Sequence, residues 1–234
     1  SDGAGTGKCT SAVTGLEPGT TYYLRAYASN ALGTSYGEEV SFTTNAAKPS
    51  VTTYEATDIT TTSAKIGGNV IATGGAEVTE RGIVWSTSKN PTISNNKKQV
   101  GSGSGSFSTD LTDLAIATTY YVRAYAINSV GTSYGEEISF TTGSAKPTVT
   151  TASPSEVTSS SAISGGNVTS DGGSAVTERG VVWSTDHNPT VSLSTKTSDG
   201  TGTGSYVSSI SNLEPGTTYY VRAYATNEVG TAYG

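Results

Sequence analysis

The segment Thr20–Ala28, TTYYLRAYA, returns as TTYYVRAYA at Thr118–Ala126 and again at Thr217–Ala225. The intervals between Tyr22, Tyr120 and Tyr219 are 98 and 99 residues. A segment that recurs at a near-constant interval of one domain length means tandem copies of one module. Each copy follows a Leu and precedes an Asn and a Gly-Thr, so the flanks keep step as well.

Residues 1–37 match residues 198–234 at an offset of 197. The chain is therefore expected to open inside one repeat and to stop inside another. On that basis residues 1–44 form the back half of a repeat, 48–142 a complete repeat, and 146–234 a repeat without its last strand. The junctions Asn45–Pro49 and Gly143–Pro147 are short, with Pro at the start of an edge strand. Connections of this length restrict tilting, so a semi-rigid rod is expected.

The complete repeat is predicted to be all-β, with seven strands. The first is Ser50–Tyr54, continued after a break by Thr57–Thr62. Ala64–Ile71, Val78–Thr87 and a weak strand over Thr92–Val100 follow. Ser106–Leu111, Thr119–Asn128 and Ser133–Thr142 complete the set. The spacing, the Gly and Asn turns and the absence of helical periodicity indicate a β-sandwich. In the sixth strand Tyr120, Val122, Ala124 and Ala126 are predicted to face the core, and Tyr121, Arg123 and Tyr125 to face outward. One position conflicts with this register: Ser164 stands where the middle repeat has inward Ile66, and Ile163 where it has Lys65.

The run Leu213-Glu214-Pro215-Gly216-Thr217-Thr218-Tyr219, followed by VRAYATNEVGTAYG, resembles the end of a fibronectin type III domain. That resemblance implies tandem seven-stranded fibronectin type III-like (immunoglobulin-like) β-sandwiches. It implies tyrosine corners at Tyr22, Tyr120 and Tyr219, each phenol bonding back to upstream backbone. Ala115-Ile116-Ala117 replaces Glu-Pro-Gly in the middle copy, so a looser corner is expected there. Trp85 and Trp183 are structural, but they sit in the third strand, whereas the family's Trp is in the second. The set ERG(I/V)VWST, NPT, GxGxGS, TTYYVRAYA and YGEE(I/V)SFTT is similar to repeats of large Bacteroidetes-type bacterial cell-surface proteins. An extracellular or cell-surface location and a structural or adhesive role follow from that likeness.

Chemistry is not indicated by the residues. His187 is the only histidine, and its counterpart is Lys89; a lone exposed turn histidine makes no triad or metal cluster. The Gly-rich loops lead into strands, not helices, so they are turns that admit positive φ and not phosphate cradles. Asp2 and Asp199 could suggest calcium, but one carboxylate per loop is poor for a cation that takes six to eight oxygens. No catalytic residue, cofactor or metal is expected. The single Cys9 aligns with Phe107 and Tyr206 and is expected to be an inert buried thiol. A net charge of −6 argues against nucleic acid, and no apolar run reaches the ~18–20 residues that span a bilayer.

One candidate contact surface remains. Tyr23-Arg25-Tyr27, Tyr121-Arg123-Tyr125 and Tyr220-Arg222-Tyr224 form an outward stripe repeated along the chain. It either stabilises the strand surface, with Arg81 and Arg179 as cross-strand partners, or binds glycans or neighbouring copies. The expected function is a stalk, fibre or filament subunit; the alternative is a glycan-binding accessory or spacer module. Unpaired strand edges in the two partial repeats could recruit strands from other chains.

Overall fold

The computed structural model describes residues 3–234, and every regular element in them is a β-strand. Contacts divide the chain into two compact units. One holds residues 1–57, 65–110 and 120–140; the other holds 58–64, 111–119 and 141–234. These do not coincide with the repeats, because 58–64 and 111–119 lie at the end of the middle repeat that meets residues 143–173.

In the first unit, β1 (Thr21–Asn30) and β2 (Gly33–Thr43) form an antiparallel hairpin, with Tyr22 opposite Phe42 and Leu24 opposite Val40. The middle repeat has β3 (Ser50–Thr53), β4 (Ala64–Ala72), β5 (Glu80–Ser86), β6 (Asn96–Gly101) and β7 (Gly105–Leu111). It continues with β8 (Thr119–Asn128), β9 (Gly131–Tyr134) and β10 (Ile138–Thr141). Its sheets are β3-β4-β7 and β10-β8-β5-β6, with β9 also on β8. Residues on both sheets are buried, among them Ile66, Val70, Ile83, Phe107, Val122 and Ala124. A hydrogen bond also joins the sheets, since the Ala124 N–H donates to the Thr53 side-chain Oγ1 at 3.0 Å.

Two strands differ from expectation. Thr57–Thr62 is not a strand. It holds one bridge, Thr57 with Lys65, because the Thr60 side chain satisfies the N–H groups of Thr62 and Ser63 locally and so competes with a ladder. The seventh strand is split into β9 and β10, with the Gly135 N–H turned onto Ala124 O.

The third repeat comprises β11 (Thr148–Ser155), β12 (Ser161–Ser170), β13 (Glu178–Ser184), β14 (Gly204–Ser211), β15 (Tyr220–Asn227) and β16 (Gly230–Tyr233). Its sheets are β11-β12-β14 and β13-β15-β16. Val149, Val168, Val181, Trp183, Tyr206, Ile210, Ala223 and Ala225 form one core drawn from both. Trp183 lies in that core, whereas Trp85 is half-buried. The fourth strand has no regular counterpart here. Thr195–Thr197 instead meets β13 through a bridge, two backbone bonds and the Thr197 hydroxyl.

The Ser164 conflict resolves without a change of register. Ser164 and its partner Ser208 on β14 both face inward and are buried. Ser164 Oγ donates to Ala152 O at 2.9 Å and Ser208 Oγ to Asp199 Oδ2 at 2.5 Å. A buried hydroxyl with a partner is tolerated where one without would cost about 1–3 kcal/mol. The third repeat thus replaces an apolar contact with a satisfied polar one.

Candidate functional site

The Tyr-Arg-Tyr stripe lies on the outer sheet face, but neighbouring side chains use most of it. Arg123 Nε donates to Gly135 O at 2.9 Å, and its guanidinium stacks 4.8 Å above the Tyr134 ring. Arg222 repeats this with Gly234 O and Tyr233, and Arg25 with Gly37 O and Tyr36. The Tyr134 hydroxyl in turn accepts from Ile93 N, and Tyr233 from Val191 N, both at 3.0 Å. Each arginine therefore stacks on a tyrosine of the following strand, and in the middle and third repeats that tyrosine pins a loop. Lys89 lies 5.8 Å from the centre of the Tyr121 ring, and the exposed His187 ring lies tilted by 31° against Tyr220, with centroids 3.8 Å apart.

Tyr125 and Tyr224 correct the expectation of an exposed stripe, because both are fully buried. Their partners across the ladder are Gly82 and Gly180, which leave room for a ring to lie flat. A Cβ on Gly82 would come within 2.9 Å of the Tyr125 ring. Tyr125 donates to Glu80 Oε1, which also takes Lys97 Nζ at 2.9 Å, and Lys97 covers the ring. The single O–H of Tyr224 is shared between Glu178 Oε1 at 2.8 Å and Thr197 O at 2.6 Å. Tyr23 and Tyr27 are exposed, as β1 has only β2 beside it among the described residues.

Bonding to Tyr125 and then to Lys97 holds the Glu80 carboxyl below its ordinary value. Burial, then Glu80, raises the Tyr125 phenol. Burial, then the Asp199 carboxylate, pushes the Tyr206 phenol up to about 12. A depressed carboxyl stabilises the fold above its unfolded pKa of about 4.3, and that contribution is lost as pH falls through the lower folded value. A Glu80→Gln chain is expected to be less stable at pH 7 and to show a shallower acid limb in thermal unfolding between pH 3 and 7. An unchanged limb would contradict this role.

Arg81 and Arg179 are the functional side chains most misjudged from sequence. They face inward, opposite Ala126 and Ala225, and do not join the outer stripe. Arg81 Nη1 donates to the carbonyls of Gly103, Ser104 and Gly105 at 3.4, 2.6 and 3.0 Å. Its guanidinium lies 5.2 Å from the Phe107 ring. Arg179 does the same with Gly202, Thr203, Gly204 and Tyr206. Positive φ at Gly103, Gly105, Gly202 and Gly204 turns those carbonyls inward. The GxGxG pattern therefore wraps an arginine.

The tyrosine corners form at Tyr22 and Tyr219, whose hydroxyls accept from Glu17 N at 2.9 Å and Glu214 N at 3.1 Å. In the middle copy Ala117 adopts φ 45°, the left-handed conformation that Gly19 and Gly216 hold elsewhere. Cys9 is exposed, not buried. Phe107 and Tyr206 are covered by β4 and β12, and no described strand precedes β1 to cover Cys9. Asp199 Oδ2 is taken by the hydroxyls of Thr197 and Ser208, and Asp2 lies outside the described residues. Among the described residues no three His, Cys, Asp or Glu side chains converge on a metal-sized site.

The junctions are built alike within their units. Ala47 N donates to Gly74 O at 2.8 Å, and Ala145 N to Gly172 O at 2.7 Å. Gly19 N donates to Asn45 O at 3.2 Å, and Ala117 N to Gly143 O at 3.1 Å. Gly75 meets the backbone of Pro18 and Gly19, and Gly173 meets the Ala117 methyl, so closely that a Cβ on either glycine would overlap them. Buried Asn128 donates to Ala47 O and Thr73 O and accepts from Val130 N and Gly131 N. Asn227 repeats all four bonds with Ala145, Asp171, Val229 and Gly230. The Asn after each TTYYVRAYA thus ties the linker to the module it enters. The sequence carries no sign that the double glycines Gly74-Gly75 and Gly172-Gly173 are the linker's seat.

No protein-family model matches the chain, and no curated protein matches it. Among solved structures, it is similar to the sensor domain of the anti-sigma factor RsgI4 of Pseudobacteroides cellulosolvens. That match has 23% identity and a TM-score of 0.33, over 42% of this chain and 96% of that one. It is also similar to the FN1–FN3 domains of chicken CNTN1, at 18% identity and a TM-score of 0.36, over 92% of this chain and 73% of that one.

Proposed function

We propose that this chain is a structural repeat region of an extracellular or cell-surface protein, acting as a stalk of tandem fibronectin type III-like modules. The observation that carries the reading is the junction, built twice from the same bonds and the same close glycine contact. Buried, fully bonded asparagines resist the bending that an unbonded linker allows. The role is mechanical and not catalytic, and the Tyr-Arg face serves the fold. Electron microscopy of the purified chain should show unbranched, extended particles of one length. Compact or variably bent particles would count against a stalk.

A further inference from the structure

In the third repeat β14 is bonded on one side and free on the other. It pairs with β12 from Ser211 to Gly204, and no described strand lies along its outer side. β7 ends its sheet in the same way in the middle repeat, which has sequence on both sides of it. The free edge is therefore a property of the repeat and not of the ends of the sequence. A Cβ on Gly165 would lie 2.1 Å from Tyr206 O, so that carbonyl faces β12. Backbone groups alternate in direction along a strand. The N–H and C=O groups of Ser205, Val207, Ser209 and Ser211 therefore face the free side.

The two repeats treat this edge differently. In the middle repeat Lys98 Nζ donates to Asp110 O of β7 at 2.7 Å. A lysine laid on an edge carbonyl keeps other strands away. The residues at the places of Lys98 and Asp110 in the third repeat are Thr197 and Ser209. Thr197 uses its hydroxyl on Val181 N and Asp199 Oδ2, so it does not replace the lysine's cap. Asp199 is turned onto the buried Ser208 hydroxyl. β14 itself, GSYVSSIS, holds no charge and no proline. Its outer face is serine except at Val207, which is 70% exposed.

We infer that this edge joins two copies of the chain, β14 against β14, antiparallel and centred on Val207. The strand complements itself in that register. Val207 meets Val207 of the other copy, exchanging both main-chain bonds because its backbone groups face outward. Ser205 meets Ser209 on either side. Both exposed valines are covered, no like charges oppose each other, and one patch serves both partners, as a closed two-fold contact requires. One strand pair buries less than the ~1,200 Å² of a standard interface, so the contact is weak, with a Kd on the order of 0.1 mM. Tethered copies meet at effective concentrations of about millimolar, so this suffices to join neighbouring stalks side by side. That use rests on the stalk reading; the contact itself does not.

Sedimentation equilibrium of the full chain under reducing conditions, which keep the exposed Cys9 from crosslinking, tests the contact. A reversible monomer–dimer equilibrium is expected below about 1 mM. Val207→Lys and Val207→Glu should each weaken it at least about tenfold, since a pair of like charges then replaces an apolar contact. An equal mixture of the two variants should recover association, because opposite charges then meet at the two-fold. Ser108→Lys, at the corresponding place in the middle repeat, should change nothing. A monomer throughout, a dimer indifferent to Val207→Lys, a dimer equally weakened by Ser108→Lys, or a mixture no tighter than either variant alone would overturn the inference. Recovery in the mixture also shows that both variants fold.

Discussion

An Asn128→Ala chain is expected to lose about 2–4 kcal/mol of stability in the middle repeat, since buried groups stripped of their partners cost about 1–3 kcal/mol each. Asn128 is only 4% exposed and uses both donors and its acceptor oxygen in four bonds. Alanine abandons two carbonyls and two N–H groups at once, where water has little access. The Ala47 and Thr73 carbonyls belong to the linker and to the turn it seats on, so the junction should loosen together with the module. Chemical denaturation monitored by Trp fluorescence would check the loss, and hydrogen exchange at Ala47 and Gly131 would locate it. A loss below about 0.5 kcal/mol, the size of an ordinary surface change, would show that these bonds do not hold the junction.

Gly82→Ala should be comparably damaging, at about 2–4 kcal/mol, by forcing extra volume into a filled site. A Cβ there would sit 2.1 Å from Lys98 O, which is backbone and cannot swing away, and 2.9 Å from the Tyr125 ring. The strand pair β5–β6 must part or the ring must leave, and its bond to Glu80 goes with it. Gly101→Ala is the control: its nearest neighbour is Arg81 Nε at 3.9 Å, and it should change stability by less than about 0.5 kcal/mol. Thermal unfolding of the two variants side by side separates a steric requirement from general intolerance of side chains in this sheet.

Much of this fold could be read from the chain because its signals were local. Alternation in Tyr120–Ala126 placed Val122 and Ala124 in the core, where they are. The Leu-x-Pro-Gly-Thr-x-Tyr run announced the bonds of Tyr22 and Tyr219 to upstream backbone. What stayed hidden depends on partners far along the chain. Tyr125 points outward as alternation requires, yet it is covered because Gly82, 43 residues earlier by number, leaves it a slot. Arg81 is charged and was expected outside. Its inward place is supported by carbonyls of a loop whose glycines looked like turn residues only. Period-two patterns give a side chain's direction but not its cover, and the candidate stripe was overread for that reason. The junction seat at Gly75 and Gly173 was equally silent, since a contact between the double glycine and a loop of the preceding repeat leaves no periodic trace.

The central claim, that each linker is seated on the double glycine of the module it enters, is tested most directly by hydrogen exchange at the Ala47 and Ala145 amides, which donate to Gly74 O and Gly172 O. The account predicts strong and matched protection of both amides at neutral pH. Exchange at the rate of an open chain would mean that the linkers are not seated, and would contradict the stalk.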